Sequence, residues 1–419
     1  MNTQQFRTKN FKGVLSLLAG NSIAKIIMSV GGLVLANFYG PESYGIYNVF
    51  LSYVMILPVL ASFRLENIMI LQKGSTEIRN LFSWVIWISL AATALLIGIL
   101  CILKSLGLLR IDLTVFILLL CGAGAVLTAW NSTQNALFTK FQLFKQMSVA
   151  FVVASVFSVA SQALFYWLKL ENGLIYGWLV GLAASFIYNA RVSKNRLVKP
   201  DFTLFKQSLK AHFPVVKYTY PSDSINALAN NILPILVIIY FTKTEVGLYA
   251  MAFKVLSTPL VLLSGSVSRV YFQKAVTLYD HDKKALHKLT QRVVYSNVGL
   301  ILLFILFMNS IGVYLLDLFL KNSWEGLSRY ILLLSFWILA RSALTPIISI
   351  LMVIKKNHYS LVFNIYLLLV NFIAIYFGVV QGDFAKCVLV FSLLSGMGYW
   401  VVTVLVFLHL NRIKKKNEA

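Results

Sequence analysis

The sequence predicts an all-α polytopic membrane protein with about twelve transmembrane helices. Of its 419 residues, 59% are hydrophobic, which is enough for about twelve spans at ~20 residues per crossing. Only 12% are charged, whereas a soluble globular chain carries about 25%, so polar surface for a water-facing body of this size is lacking. The apolar runs are long and continuous, unlike the alternating segments of an outer-membrane barrel.

Apolar runs bounded by loop signals place the individual spans. They are predicted near residues 11–38, 43–70, 79–103, 111–138, 146–168, 171–191, 216–241, 246–273, 289–319, 326–354, 358–379 and 383–410. The first run follows a basic segment and resembles a signal peptide, but it contains Asn21 and Lys25 and has no convincing cleavage site. It is therefore interpreted as the first span.

The basic residues predict the orientation of the chain. Of the 37 Lys and Arg residues, 26 fall in one set of loops and both termini, 7 in the opposite loops and 4 inside spans. Because positive loops stay cytoplasmic, both termini are predicted to be cytoplasmic. The net charge of +23 is then mainly a topology signal. No basic patch with interleaved aromatic residues is present, so no nucleic-acid partner is expected.

A polar connection and an internal repeat divide the chain. Residues 1–191 form a predicted N-terminal lobe, 192–215 a cytoplasmic linker and 216–419 a C-terminal lobe. The linker segment FTLFKQSLKAHF (202–213) has the composition of an amphipathic helix at a membrane surface.

The repeat pairs the start of span two with the start of span eight. FYGPESYGIYNVF (38–50) aligns with YFTKTEVGLYAMAF (240–253) when Gly45 is set on Gly247. Both segments enter an even-numbered span in the same sense, which predicts two six-helix lobes related by a parallel repeat. Such lobes enclose a cavity that opens to either side, which is a transporter architecture.

Four basic residues lie inside predicted spans: Lys25, Arg64, Lys254 and Arg341. An ionisable side chain in a span costs a few kcal/mol, so it normally faces a cavity or a partner. The alternative is that each cation snorkels to the interface or pairs with a buried acid. Asn21 lies four residues before Lys25 and therefore on the same helix face.

Two acids are candidates for coupling to Na⁺ or H⁺. Asp223 shares a helix face with Asn226 in span seven, and Glu66 is the reserve candidate in span two. The alternative is that Asp223 caps the start of the helix after Pro221. Glu66 lies two residues from Arg64, a spacing that points the two side chains to different faces of a continuous helix.

Enzymatic chemistry is not expected from this chain. No nucleophile arrangement, carboxylate pair or phosphate-cradling glycine loop appears. The pair Asp280 and Asp282 is better explained as a solvated loop. The cysteines have no metal-ligand spacing, and no cofactor is expected beyond a coupling ion.

Two segments carry a family resemblance: YGPESYGIYNVFLSYVMILPVLASFRLENIMIL (39–71) and ILPILVIIYFTKTEVGLYAMAFKVLSTPLVLLSGSVSRVYFQKA (232–275). They resemble the matching regions of bacterial Wzx-type oligosaccharide flippases, which belong to the multidrug/oligosaccharidyl-lipid/polysaccharide transporter superfamily. The resemblance implies translocation of a polyprenyl-diphosphate-linked oligosaccharide across the bacterial inner membrane, from the cytoplasmic to the periplasmic leaflet. It also implies a place in lipopolysaccharide O-antigen, capsule or related surface polysaccharide biosynthesis, with a polysaccharide polymerase and chain-length machinery as partners.

The residues fit such a substrate. Basic side chains replace the hydration of a diphosphate by charge-assisted hydrogen bonds, a role predicted for the four intramembrane cations. Many relatives carry an Asp-Arg-like pair midway along span seven, where this chain has Leu233 and Pro234, so Asp223 is the nearest acid. Polar side chains predicted to contact the sugars are Asn21, Asn48, Asn131, Gln134 and Asn135.

Two other functions compete with this interpretation. A cation-coupled multidrug exporter is expected to line its cavity with acids, whereas the intramembrane charge here leans basic. A membrane glycosyltransferase or polymerase is expected to carry acidic or histidine residues on a sizeable periplasmic loop, and the predicted outside loops are about ten residues or shorter. A purely structural scaffold does not explain polar faces inside spans.

Overall fold

The predicted fold class is confirmed by the computed structural model. It describes residues 3–108, 113–193, 197–320, 324–354 and 356–418. Within these residues, twelve helices are long and apolar enough to cross a membrane. The chain is thus an all-α, multi-pass membrane protein.

Sixteen α-helices are present in the described part of the chain. Their bounds are α1 Thr3–Ala36, α2 Pro41–Ser62, α3 Leu65–Leu71, α4 Ser75–Ser105, α5 Val115–Lys140, α6 Phe144–Trp167, α7 Gly173–Ser193, α8 Phe202–Ala211, α9 Tyr220–Tyr240, α10 Lys243–His281, α11 Lys283–Phe307, α12 Val313–Leu320, α13 Leu327–Leu344, α14 Ile350–Val353, α15 Asn357–Gln381 and α16 Phe384–Glu418. Two π-helical segments, Val215–Thr219 and Met308–Gly312, lead into α9 and α12.

Two predicted spans are interrupted by residues that are not helical. The span predicted over 43–70 ends at Ser62 and is followed by the short helix α3. The break has a backbone cause, because Phe63 and Arg64 adopt left-handed φ angles of 51° and 56°, which cannot continue a right-handed helix. The span predicted over 326–354 likewise ends at Leu344, before the separate turn α14.

Contacts divide the chain into two compact units. The first unit comprises Met1–Tyr39 and Ile46–Ile239, and the second comprises Gly40–Gly45 and Tyr240–Ala419. Helix α2 therefore begins in the second unit and continues in the first. The division into repeat-related halves at 192–215 stays a prediction.

Small residues allow close helix packing in the first unit. A Cβ atom on Gly20 of α1 would lie 1.7 Å from Oγ of Ser148 on α6, and one on Gly181 of α7 would lie 1.9 Å from Oγ of Ser158. Helices inside a bilayer gain little from apolar burial against each other, so close backbone approach is what stabilises such contacts.

Helix α8 confirms the helix predicted in the linker and packs against other helices of the first unit. Asp201 caps it, with its Oδ1 accepting bonds from the backbone amides of Thr203 and Leu204. The Asn80 amide donates to the Asp201 carbonyl at 2.9 Å and accepts from its backbone N–H at 2.7 Å. On the apolar face, Phe205 is buried with α3 and α4 residues in one hydrophobic cluster. The linker is thereby fixed to α4 and to α3, the helix that carries Glu66.

The two repeat-related glycines meet in the second unit. A Cβ atom on Gly45 would lie 2.0 Å from the carbonyl oxygen of Lys243, and one on Gly247 would lie 1.8 Å from the carbonyl oxygen of Pro41. Each glycine comes four residues after the first residue of its helix. Only the absence of side chains permits two helix starts to approach so closely.

Candidate functional site

The break between α2 and α3 determines the direction of the Arg64 side chain. Two consecutive non-glycine residues with positive φ cost roughly 1–2 kcal/mol each. The backbone amide of Arg64 donates to Oγ of Ser62 at 3.2 Å, which ties the turn to the end of α2. Strain of this kind persists only where surrounding structure enforces it, and it concentrates at functional sites.

The Arg64 guanidinium lies between two carboxylates of the first unit. Its Nε is 2.8 Å from Oδ2 of Asp223 on α9, and its Nη1 is 3.4 Å from Oε1 of Glu66 on α3. The Glu66 side chain is 7% exposed, whereas those of Arg64 and Asp223 are 30% and 32% exposed. With both acids ionised, this triad carries one excess negative charge. Such an arrangement attracts a cation or a proton.

The spacing of Arg64 and Glu66 predicted different helix faces and side chains that are not simply each other's partner; the two do contact each other, and Arg64 lies closer to Asp223. That prediction placed residues two apart on different faces of one continuous helix. The helix instead ends at Ser62, and the left-handed conformation at Arg64 turns its side chain toward the first turn of α3. The pair is therefore bonded although its sequence spacing disfavours a contact.

Asp223 does not cap a helix start. The π-helical segment Val215–Thr219 runs directly into α9, and Tyr220 between them has right-handed helical angles. Pro221 thus lies within a continuous helical path and does not begin one. The Tyr220 hydroxyl also donates to the Leu60 carbonyl at 3.3 Å, which holds this end of α9 against α2 and beside Arg64.

A polar pocket of about 260 Å³ contains the triad. Asn226 and Asn231 line it from α9, and Thr128 and Ser132 line it from α5. Among the described residues, buried Oε2 of Glu66 and Oγ1 of Thr128 have no hydrogen-bond partner. Oxygen atoms of this kind are the ligands that hard cations prefer. The pocket therefore combines the Arg64 guanidinium with oxygen atoms that are free to accept or coordinate.

The other two predicted cations with described contacts lie on aromatic rings of the second unit. The Lys254 ammonium is 5.9 Å from the centroid of the Tyr44 ring, and the Arg341 guanidinium is 5.0 Å from the centroid of the Trp337 ring. Cation–π contact stabilises a positive charge. Both side chains therefore have an aromatic partner within the second unit, and their contact with a phosphate stays a prediction.

The remaining predicted residues lie in the first unit, away from the lining of the triad pocket. Lys25 and Asn21 are half-buried on α1, and Asn48 is half-buried on α2. Asn131 is committed to packing: its amide donates to the carbonyls of Leu127 and Leu182 and accepts from Asn189. Gln134 is buried and Asn135 half-buried on the same helix, α5. The sugar contacts stay a prediction.

Sequence reasoning missed the α5 side of the pocket. Thr128 and Ser132 are spaced by four residues and share one face of α5. The amides chosen from the sequence, Asn131 and Asn135, repeat the same spacing on a neighbouring face. The four-residue spacing of Thr128 and Ser132 could have indicated a polar helix face. Nothing in the sequence, however, shows which of the two polar faces of α5 lines the pocket.

Solved structures with this fold are membrane transporters. The lipid II flippase MurJ in an inward closed conformation has a TM-score of 0.67 at 16% identity, covering 95% of this chain and 89% of that one. An inward-facing multidrug resistance MATE family transporter has a TM-score of 0.62 at 14% identity, covering 94% and 99%. A MOP superfamily transporter from Pyrococcus furiosus has a TM-score of 0.55 at 14% identity, covering 96% of each chain.

The chain is a polytopic membrane protein that shares its fold with solved transporters, one of them described as a member of the MOP superfamily. A sequence model of the polysaccharide biosynthesis protein family matches residues 34–329. The chain belongs to that family. A comparison with curated protein sequences found no match.

Proposed function

We propose that the protein is a flippase that moves a polyprenyl-diphosphate-linked oligosaccharide from the cytoplasmic to the periplasmic leaflet for surface polysaccharide biosynthesis. The observation that carries the proposal is membership of the polysaccharide biosynthesis family over most of the chain, together with the transporter fold. Lipid-linked sugars are assembled as amphiphiles whose polar heads cannot cross hydrocarbon unaided, because unpaired polar groups cost several kcal/mol there.

The basic residues provide the proposed diphosphate ligands. Lys25 and Arg64 come from the first unit, and Lys254 and Arg341 come from the second. Each of these cations is proposed to offer charge-assisted hydrogen bonds to phosphate oxygens. Arg64 is already paired with Asp223, so its release to the substrate requires neutralisation of that carboxylate.

The triad pocket is the proposed coupling site for H⁺ or Na⁺. A cation shifts the balance between inward and outward states only if it binds them with different affinity. Cation binding at Asp223 and Glu66 would loosen the hold of both carboxylates on Arg64. The Arg64 guanidinium would then take part both in ion coupling and in binding of the head group.

Reconstitution in liposomes tests the proposal directly. Purified protein is expected to exchange a fluorescent polyprenyl-diphosphate oligosaccharide between leaflets faster than empty liposomes do. Absence of exchange, with efflux of cationic drugs instead, would establish a multidrug exporter.

Coupling is tested with imposed proton and sodium gradients in the same liposomes. Asp223→Asn is expected to abolish the response to the gradient while exchange without a gradient persists. Asp383→Asn is the matched control, because Asp383 pairs with the largely exposed Arg329. A full gradient response in Asp223→Asn would assign coupling elsewhere.

Topology is tested with reporter fusions. Fusions at Lys199 and at both termini are expected to report cytoplasmic locations, and a fusion at Glu42 a periplasmic one. A periplasmic signal at Lys199 would contradict the proposed orientation.

A further inference from the structure

A long apolar groove lies between α15 and α16 of the second unit. It has a volume of about 450 Å³ and extends from His358 to Tyr366 on α15 and from Met397 to Leu405 on α16. Eight residue steps at 1.5 Å rise give it a length of about 12 Å along the helices, a sizeable part of a ~30 Å hydrocarbon core. Both helices are candidate spans.

Gly398 and Tyr366 shape the end of this groove that lies farther from the start of α15. The Tyr366 ring occupies the space beside Gly398, where a Cβ atom would lie 2.3 Å from its Cε1. The Tyr366 hydroxyl donates to the Leu394 carbonyl at 2.7 Å, which fixes the ring. Short branched side chains form the walls: Val362 and Val401 are 62% and 58% exposed. The groove is therefore preformed and apolar.

The end of the groove at the start of α15 is basic. His358 lines it, and Lys356 lies two residues earlier at the start of α15. His409 follows Leu405 by about one helical turn, and Lys356 and Arg412 both act electrostatically on its imidazole. Across residues 357–413, the sole carboxylate side chain in the sequence is Asp383, at the opposite end of both helices. Positive charge at this end is thus not compensated within α15 or the first thirty residues of α16.

We infer that this groove binds an anionic phospholipid of the bilayer, with one acyl chain in the groove and the phosphate at Lys356 and Arg412. An apolar slot with cations at one end matches an amphiphile that carries a terminal negative charge. Basic pockets between transmembrane helices bind anionic lipid head groups in this way. A cationic amphiphile is repelled by the same end, and a zwitterionic phospholipid gains less from it.

Native mass spectrometry of the purified full chain tests the inference. Delipidated protein is titrated with phosphatidylglycerol and with phosphatidylcholine of identical acyl chains. One phosphatidylglycerol is expected to bind in preference to phosphatidylcholine. The double variant Lys356→Gln/Arg412→Gln is expected to lose about 30-fold in phosphatidylglycerol affinity, from the attraction contributed by two basic residues. The matched control Lys288→Gln/Arg292→Gln removes two exposed charges from α11 and is expected to change little.

Blocking the groove tests the acyl-chain part separately. Val401→Trp is expected to abolish the bound phospholipid, and Val362→Trp serves the same purpose from the opposite wall if the first variant misfolds. Val404→Trp is the control, because Val404 is 52% exposed on α16 and does not line the groove. Unchanged binding in folded Val362→Trp or Val401→Trp would overturn the inference.

Competition identifies the ligand class. Glycerol phosphate, which has a head group without chains, is expected not to displace phosphatidylglycerol, and equal displacement would reject a chain-binding groove. Displacement by polyprenyl phosphate at lower concentration than by phosphatidylglycerol itself would reassign the groove to the transported lipid. Failure of glycan flipping in liposomes leaves this binding result unaffected, so the two proposals fail separately.

Discussion

Arg64→Met is the perturbation that most directly tests the triad. It removes the guanidinium and leaves two carboxylates in one pocket, of which Glu66 is 7% exposed. Breaking a buried ion pair by deleting one partner costs about 3–5 kcal/mol. Because Asp223 and Arg64 are about one-third exposed, water screens part of that loss, and we expect destabilisation of about 2 kcal/mol.

The free energy of unfolding in mixed micelles, measured by SDS titration, provides the assay. Adding Glu66→Gln to Arg64→Met is expected to restore at least half of the lost stability, because the buried uncompensated charge disappears. Adding Asp223→Asn is expected to restore less, since Asp223 reaches solvent. Arg329→Met is the control: its side chain is 63% exposed, and such surface pairs contribute about 0–1 kcal/mol. A larger restoration of stability by Asp223→Asn than by Glu66→Gln would show that the Glu66 carboxylate is not the costly uncompensated charge.

Three further predictions concern packing and helix ends. Gly247→Ala is expected to destabilise the protein by about 1–3 kcal/mol because its methyl group meets backbone. Gly299 faces open space, so Gly299→Ala is expected to be neutral or stabilising, and the thermal unfolding temperatures of the two variants test the difference. Lys140→Met removes bonds to carbonyls at the end of α3 and is expected to raise amide hydrogen exchange in α3 selectively. Asn131→Ala leaves the buried amide of Asn189 without its acceptor and is expected to cost about 1–3 kcal/mol; equal stability would contradict that bond.

The spans were predictable because membrane thickness imposes a length on apolar runs. Twelve runs were predicted and twelve candidate helices are found among the described residues. The break at Phe63 and Arg64 was not predictable from the same signal. Neither residue is glycine or proline, so the backbone conformation there depends on tertiary contacts that hydropathy does not record.

The sequence predicted which charged residues are candidates for the site, but not which of them contact each other. Arg64, Glu66 and Asp223 were selected because ionisable residues are costly in a span, and the structure joins them in one triad. Arg64 was predicted as a substrate ligand, and Glu66 and Asp223 as coupling acids, so the contacts that join the three were not predicted. Tyr44 and Trp337 were missed as cation partners, because aromatic residues at this density are normally explained by lipid contact and core packing.

The close approach of Gly45 and Gly247 has a consequence for how such a chain can be divided. Gly40–Gly45 belongs to the second unit, where the Tyr44 ring also meets the buried ring of Trp324 with centroids 5.3 Å apart. A gene cut within the 192–215 linker would yield a C-terminal polypeptide that lacks this packing element. The surface around Gly247 in that polypeptide would stay exposed until the N-terminal polypeptide supplied Gly40–Gly45. We therefore expect the C-terminal polypeptide to fold poorly when it is expressed without the N-terminal one.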